Sequence, residues 1–284
     1  MRSRLPLAAW AGLTVAVVAL QHLSNRVLRD PGYLWGRWHG ARFYLEGLVQ
    51  YDGHRYLAIA AEGYSYDPGV QSPIAWFPLY PLLIRGLTSL AVEPVVAGVA
   101  VTALGCVAAL LLYWRWLGLH GSTGSARGVA FLALALYPYA FFLYGTVYAD
   151  AVFLAAALGA FLLVERGSPV LGGLAGAAAT ACRPSGMALV PALLALQMVR
   201  DGVLVRPAAP PEGWWGRAVD WLEAPTSLDR SKLRPRTLAP LLSLGGVAAY
   251  AAYLWYRFGE PFAFLTNQAT FHGRFPLLKL TFFS

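Results

Sequence analysis

The feature that most constrains this chain is a series of apolar runs, each about 17 to 25 residues long. An α-helix rises about 1.5 Å per residue, so a run of that length crosses the roughly 30 Å hydrocarbon core of a bilayer. Only 13% of the residues are charged, about half the share found in a typical soluble domain. Backbone groups inside a bilayer must be paired within their own segment, which favours helices. The sequence therefore predicts an all-α, polytopic membrane protein.

We expect a single transmembrane domain over residues 1–284. The first apolar run has the position of a signal peptide, but it is long and no A-x-A cleavage site follows, so we expect an uncleaved helix. Residues 24–93 are predicted to form an extracytoplasmic loop with interfacial or re-entrant helices, and residues 200–236 a cytoplasmic loop. The apolar end, 277–284, has the composition of a further span that is cut off. The predicted spans are 5–23, 94–114, 128–146, 149–165, 169–182, 184–199 and 237–256.

The basic residues predict which side of the membrane each loop occupies. With the N-terminus in the cytoplasm, the cytoplasmic segments carry 12 basic residues against 6 acidic ones, and the opposite side carries 10 against 8. This bias follows the positive-inside rule, so the net charge of +8 needs no nucleic-acid partner. Arginine outnumbers lysine 20 to 2 among abundant Ala, Gly, Leu and Pro, which indicates GC-rich coding DNA and a bacterial cytoplasmic membrane.

The first loop has its densest mixture of polar and aromatic residues at 51–64, YDGHRYLAIAAEGY. If this segment is helical, Asp52 shares one face with Tyr56 and Ile59, because helical neighbours recur every three or four residues. A carboxylate that interrupts an apolar stripe is suited to accept a proton. The alternative is that Asp52 only begins a short helix that Gly63 ends. The other predicted members of the stripe are Leu45, Leu48 and Gly63.

Two neighbouring features of this loop have both a functional and a plain interpretation. His54 and Arg55 follow Asp52, and a helix places Arg55 about one turn away, within reach of an anionic group. The alternative for both residues is a solvated or headgroup-facing position. The segment 76–81, WFPLYP, contributes three aromatic residues and two prolines. Such aromatics form an interfacial belt or, alternatively, a rigid wall on which the apolar face of a sugar packs.

Polar residues far along the chain fall on the same predicted side of the membrane. Tyr148 and Asp150 stand where one predicted span ends and the next begins, and a lone carboxylate there is either a helix cap or functional. Arg183 lies between two short apolar helices, as a loop cation or as a partner for phosphate oxygens. This clustering favours a common site. The polar residues beyond the last full span are Asn267, Gln268, His272 and Arg274.

The first-loop motif, YDGHRYLAIAAEGY followed by WFPLYPLLIR, resembles a family pattern. That pattern is W-D-x-x-x-Y-x-x-I-A-x-x-G-Y with F-F-P-L-Y-P, from the phosphatidylinositol-glycan class V family, mannosyltransferase II of GPI-anchor synthesis, and its bacterial relatives. Tyr148-Ala149-Asp150 is similar to the family's Y-x-E/D at a helix start, and Arg183 to its arginine in a short glycine-rich helix pair. The resemblance extends to about Arg274. Tyr51 replaces the usual Trp, and the family's C-terminal helices are not present.

This resemblance implies a GT-C glycosyltransferase, a helical bundle with an extracytoplasmic active site and inversion at the anomeric carbon. Asp52 matches the acidic residue taken as the catalytic base of the family. The implied reaction moves a hexose, with mannose favoured, from a polyprenyl-phosphate donor to a glycan, lipid or protein hydroxyl. The donor is a co-substrate, and no metal or other cofactor is expected. The residues expected to bind substrate are Tyr51, His54, Arg55, Tyr56, Trp76, Tyr80, Tyr148, Asp150, Arg183, Gln268, His272 and Arg274.

Two other functions fit the same outward-facing polar cluster. A transporter or flippase for lipid-linked sugars would use the cluster for binding and would need no base. A non-enzymatic membrane scaffold would need none of these side chains for chemistry. The two alternatives predict different consequences when Asp52 is replaced by Asn, since only a transferase loses turnover while it keeps its lipid donor.

Overall fold

The computed structural model describes residues 4–27, 45–49, 51–205 and 227–271, and this part of the chain is mostly helical. Two short strands, β1 Leu204–Val205 and β2 Ser227–Leu228, pair antiparallel. Short 3-10 helices cover Glu46–Leu48, Pro73–Ala75, Pro138–Leu143, Pro184–Ala188, Arg230–Lys232 and Pro235–Leu244. The α-helices are α1 Arg4–Val27, α2 Gly53–Glu62, α3 Leu79–Thr88, α4 Pro94–Leu119, α5 Gly124–Ala135, α6 Asp150–Glu165, α7 Pro169–Cys182, α8 Leu189–Arg200, α9 Gly245–Phe258 and α10 Ala263–Phe271.

Among the described residues, 3 helical segments have the length and composition to cross a membrane: Arg4–Ser24, Pro94–Leu119 and Pro235–Phe258. The prediction of an all-α chain with membrane-spanning helices is confirmed to that extent. The division into seven spans stays a prediction. Shorter apolar helices cover Gly124–Ala135, Pro169–Cys182 and Pro184–Arg200.

The segment predicted as one continuous span over 128–146 is divided in the structure. Helix α5 ends at Ala135, and a 3-10 helix follows at Pro138–Leu143. The cause is Pro138, because a proline pushes the residue before it out of the α region and cannot donate a backbone hydrogen bond. Tyr137 accordingly has φ −57° and ψ 135°. The structure therefore divides this predicted span into two helical pieces, and its crossing of the membrane stays a prediction.

Helices α6 and α7 form an antiparallel pair that returns the end of α7 to the start of α6. Only residues 166–168 connect them, and Gly167 adopts a φ of 81° in the turn, a conformation that favours glycine. Helix α4 packs closely beside the first turn of α6. A Cβ atom on Gly105 would lie 2.9 Å from the backbone nitrogen of Val152, so this approach requires a glycine. Near their other ends Trp116 Nε1 donates to Glu165 Oε1 at 3.3 Å, so α4 and α6 run parallel and both begin toward the same end of the bundle.

The described part of the first loop after Tyr51 is held on this end of the bundle by two clusters of buried side chains. One cluster joins α2 and α3 to the starts of α4 and α6 through residues that include Leu57, Tyr80 and Val147. The other joins Ile74 and Phe77 to helices α9 and α10. The hydroxyl of Tyr250 also donates a hydrogen bond to the carbonyl oxygen of Ile74 at 2.8 Å. Both clusters keep the residues around Asp52 against the helices.

Candidate functional site

The segment after Asp52 is helical, as its pattern predicts. Helix α2 begins at Gly53 and ends before Gly63, which has a φ of 84°. Tyr56 and Ile59 each expose only 4% of their surface, so the predicted apolar face is buried. The stripe is shorter than predicted, because Leu45 and Leu48 lie in a separate turn and 3-10 helix before Tyr51, whose φ of 50° interrupts helical geometry.

Asp52 stands at the N-cap position of α2 but makes no side-chain capping hydrogen bond. Its Oδ2 atom instead accepts a hydrogen bond from the hydroxyl of Tyr148 at 2.8 Å. Both side chains are half-buried. The interpretation of Asp52 as a helix cap and no more therefore does not account for where its carboxylate is directed.

Backbone contacts bring the first loop and the segment before α6 together. The amide of Val147 donates to the carbonyl oxygen of Leu48 at 2.8 Å. Close approach is possible because of two glycines: a Cβ on Gly53 would lie 3.0 Å from the Val147 carbonyl oxygen, and one on Gly98 would lie 2.9 Å from Val147 Cγ1. These small residues place Asp52 opposite Tyr148.

Tyr80 supports the site from within the core. It is fully buried, and its hydroxyl lies 3.0 Å from the Gly98 carbonyl oxygen and 2.7 Å from the hydroxyl of Thr102. Thr102 in turn donates to the carbonyl oxygen of Tyr148 at 3.3 Å. Tyr80 therefore presents no surface to a ligand in this structure, in contrast to the expectation that it binds substrate. Thr102 was not predicted, although a hydroxyl inside the apolar run 94–114 is a recognisable signal.

Asp150 and Arg183 form an ion pair between the first residue of α6 and the residue after α7. The two side chains are 29% and 32% exposed, so both are partly shielded from solvent and remain reachable. Oδ1 of Asp150 accepts from the guanidinium of Arg183. Within the described part of the chain, the buried Oδ2 atom of Asp150 has no hydrogen-bond partner.

Asp52, Tyr148, Asp150 and Arg183 influence one another electrostatically. Burial is the largest single influence on the pKa of Arg183 and would lower it, but the charge of Asp150, the hydrogen bond to Asp150 and the nearby Tyr56 and Tyr148 hydroxyls together outweigh burial and leave that pKa above its ordinary value. Burial, followed by the hydrogen bond to Asp52, raises the pKa of Tyr148. Tyr148 is therefore a neutral hydroxyl that donates to Asp52. Arg183 is a permanent cation that is paired with Asp150, two residues after Tyr148.

Three other predicted residues of the first loop, His54, Arg55 and Tyr56, lie in helix α2 directly after Asp52. The guanidinium carbon of Arg55 lies 5.0 Å from the ring centroid of Trp76, a cation–π geometry, and Trp76 is 9% exposed. Tyr56 is buried, which, as for Tyr80, contradicts the expectation that it binds substrate, and its ring packs edge-on against Tyr148 at 5.8 Å. His54 is half-buried, and this burial is the main reason that its pKa lies below the ordinary value.

Of the polar residues predicted to cluster beyond the last span, the structure describes the side chain of Asn267. Asn267 is buried and holds the backbone of Ser72, with Oδ1 accepting from its amide at 3.1 Å and Nδ2 donating to its carbonyl at 2.6 Å. This residue therefore fastens the first loop to α10. Gln268 lies in α10, but its side chain is outside the described part of the chain, as are His272 and Arg274. Their roles stay predictions.

Phe142 is a further neighbour of the site that the sequence did not single out. Its ring lies 4.7 Å from that of Tyr148 and 5.6 Å from that of Tyr51. The signal for it is the density of aromatic residues in PYAFFLYGTVYAD, 138–150, the segment that ends at Asp150.

Comparison with known proteins returns no relative: no protein-family model, curated protein or solved structure matches this chain. A functional assignment therefore depends on the chemistry of the chain's own residues.

Proposed function

We propose that this protein is an inverting glycosyltransferase with a GT-C-type helical bundle. It would move a hexose, with mannose favoured, from a polyprenyl-phosphate donor to an acceptor hydroxyl on the extracytoplasmic side of a bacterial cytoplasmic membrane. The observation that carries this proposal is the hydrogen bond from Tyr148 to the half-buried carboxylate of Asp52, at the same end of the bundle as the Asp150–Arg183 pair. The first-loop motif supports it independently.

Asp52 acts as the general base in this proposal. The acceptor oxygen forms a bond to the anomeric carbon while its proton passes to Asp52. The bond between that carbon and the phosphate oxygen breaks, and polyprenyl phosphate leaves with the electron pair. Attack from the face opposite the leaving group inverts the configuration. The Tyr148 hydroxyl keeps one carboxylate oxygen fixed, so that the other is directed at the acceptor.

Arg183 stabilises the negative charge that grows on the departing phosphate. A guanidinium carries five N–H donors, so pairing with one oxygen of Asp150 leaves capacity for phosphate oxygens. Its positive charge is held in place by Asp150 before the donor arrives, which lowers the reorganisation needed during the reaction. Asp150, whose side chain is 29% exposed, would orient the sugar or the acceptor.

The test is transfer by purified protein in lipid from radiolabelled polyprenyl-phosphate mannose to acceptors in a membrane extract. Asp52→Asn removes the base with little change in size, and we expect transfer to fall by about 10²- to 10⁴-fold. Binding of the donor should persist, because the base contacts the acceptor side. The matched control is Asp67→Asn, an exposed carboxylate of the same loop, which should transfer normally.

Three outcomes separate the proposal from its competitors. Full transfer by Asp52→Asn would show that Asp52 is not the base. Movement of labelled donor across the bilayer without a new product would favour a transporter or flippase. If wild-type protein neither transfers nor moves the donor, and alanine at Asp52, Asp150 and Arg183 has no effect in cells, the protein is a scaffold.

A further inference from the structure

A short basic segment, 230–236 with the sequence RSKLRPR, leads into the apolar segment Pro235–Phe258. It carries four basic residues in seven positions and no acidic one. All four basic residues are exposed. Positive charge of this density on a surface attracts an anionic partner.

The basic segment lies at the end of the bundle opposite to Arg183. Arg183 follows the last residue of α7, whereas the apolar segment after the basic residues begins beside the start of α7. A Cβ atom on Gly173 would lie 2.5 Å from the Ala239 carbonyl oxygen, and further along a Cβ on Gly246 would overlap the Ala177 carbonyl oxygen. The two segments therefore run in the same direction, and the basic residues stand where α7 begins.

Buried Asp201 fastens the basic segment to the end of α8. Its side chain is 4% exposed, and its oxygens accept hydrogen bonds from the guanidinium of Arg236 at 2.8 Å and from the hydroxyl of Thr237 at 2.7 Å. Before the basic segment, the amide of Asp229 donates to the carbonyl oxygen of Val203 at 2.8 Å. The segment is therefore fixed at both of its ends before any partner binds.

Two of the four cations are left for a partner. Lys232 pairs with Asp229 at 3.3 Å, and Arg236 is engaged at the end of α8. Within the described part of the chain, Arg230 and Arg234 form no ion pair. A guanidinium presents its N–H donors in a planar fork that matches the oxygens of a phosphate group.

Exposed leucines lie among and beside these cations. Leu228 and Leu233 are 49% and 47% exposed, and Leu238 and Leu241, in the 3-10 helix that follows, are 43% and 39% exposed. A nucleic acid bound to the cations would leave these leucines in water. The surface of a bilayer instead offers anionic headgroups next to hydrocarbon, so it matches both kinds of side chain.

We propose that the basic segment 230–236 binds anionic phospholipids, with Arg230 and Arg234 on the headgroup phosphates and Leu233 at the boundary of the acyl chains. The surface lies on the opposite face of the bundle from the proposed active site. The inference does not depend on the glycosyltransferase activity, because it uses none of the residues assigned to that reaction.

The test measures lipid binding to the purified full chain in detergent by native mass spectrometry. Phosphatidylglycerol is the anionic probe and phosphatidylcholine is the zwitterionic comparison. Arg230→Gln/Arg234→Gln removes two exposed charges and keeps polar side chains, so the fold should persist. We expect its Kd for phosphatidylglycerol to rise about 30-fold, the combined effect of two basic residues at a lipid surface. Its Kd for phosphatidylcholine should stay at the wild-type value.

Arg115→Gln/Arg166→Gln is the matched control, because it removes the same charge from exposed positions on the same predicted side of the membrane. Its Kd for phosphatidylglycerol should match the wild type. Equal losses in the two double variants, or an unchanged Kd in Arg230→Gln/Arg234→Gln, would overturn the inference. Glycerol 3-phosphate, the headgroup without its chains, or an oligouridylate that bound as tightly as phosphatidylglycerol would overturn it as well, in favour of a soluble anion or a nucleic acid.

Discussion

Tyr148 donates a hydrogen bond to Asp52 at 2.8 Å although the two residues lie 96 positions apart in the sequence. The bond connects the first loop to the segment that begins α6. Because the Tyr148 backbone is itself contacted by Thr102 of α4, three separate parts of the chain fix one carboxylate. Such support is the arrangement that a reacting group requires if its direction is to be maintained.

Replacing Tyr148 by Phe tests whether this hydrogen bond orients the proposed base. The substitution removes one oxygen and keeps the ring contacts with Tyr56 and Phe142. We expect kcat for sugar transfer to fall about tenfold, the worth of one hydrogen bond to a charged group, with little change in the donor KM. Steady-state kinetics in nanodiscs measure both quantities.

The control for that substitution is Tyr144→Phe. Tyr144 is buried, and its hydroxyl donates to the Ala135 carbonyl oxygen at 2.7 Å, away from Asp52. Both variants should lose a similar amount of stability, about 1 kcal/mol. Only the Tyr148 variant should lose kcat. Equal losses of kcat would indicate that both tyrosines act through the fold alone.

The Asp150–Arg183 pair predicts a loss of donor recognition when the cation is removed. Arg183→Gln keeps a polar side chain but no charge for the leaving phosphate. We expect kcat/KM for the donor to fall about 100-fold, which corresponds to roughly 2.7 kcal/mol. Arg257→Gln, which changes an exposed arginine on the same predicted side of the membrane, should leave kcat/KM at the wild-type value.

The same pair makes a separate prediction about stability. Arg183→Gln leaves the partly shielded carboxylate of Asp150 without its cation, which should destabilise the fold by roughly 1–3 kcal/mol. The double variant Asp150→Asn/Arg183→Gln should recover part of that loss, since no uncompensated charge remains. Unfolding in detergent measures the cycle. Strictly additive losses would mean that the two residues do not interact in solution.

His54 predicts how stability depends on pH. Burial places its pKa in the folded protein below the ordinary value of 6.5, so the unfolded chain takes up a proton first as the pH falls. The stability that neutral His54 contributes is therefore complete above about pH 6.5 and is lost between that pH and the lowered folded pKa. The unfolding midpoint of His54→Gln should fall less than that of the wild type between pH 7.5 and 5.5. Parallel decreases in the two proteins would contradict this account.

Local sequence patterns predicted the first loop more successfully than they predicted the spans. The limits of α2 follow from Asp52 and Gly63, and its buried face follows from the spacing of Tyr56 and Ile59. Hydropathy alone could not divide 128–146, because the segment is apolar throughout and only Pro138 ends the α-helical conformation. An apolar composition indicates that a segment lies in lipid or in the protein core. It does not show where the helix ends, because a single residue such as Pro138 can end it.

The grouping of Asp52, Tyr148, Asp150 and Arg183 could be predicted only as a shared side of the membrane. Alternating spans place residues on one side, but they give no distances. The actual contacts depend on the short turn between α6 and α7 and on glycines where helices approach. Tyr80 was misplaced for the same reason: its motif suggested a ligand wall, while its hydroxyl is used to support Thr102 and Gly98 inside the core.

Gly105 provides a test of how packing between α4 and α6 positions the site. A Cβ atom there would lie 2.9 Å from the backbone nitrogen of Val152 and 3.1 Å from the carbonyl carbon of Ala151, and backbone cannot move aside as a side chain can. Gly105→Ala should therefore displace the first turn of α6 and lower the free energy of unfolding by roughly 1–3 kcal/mol. Transfer activity should fall as well, because Asp150 is the first residue of α6 and would move with it. Gly128→Ala in α5 is the control, since nothing lies within 4 Å and alanine favours a helix. The unfolding free energy should rise in Gly128→Ala, which gains helix propensity, and fall in Gly105→Ala, which gains a steric clash. Equal changes in the two variants would rule out close packing at Gly105.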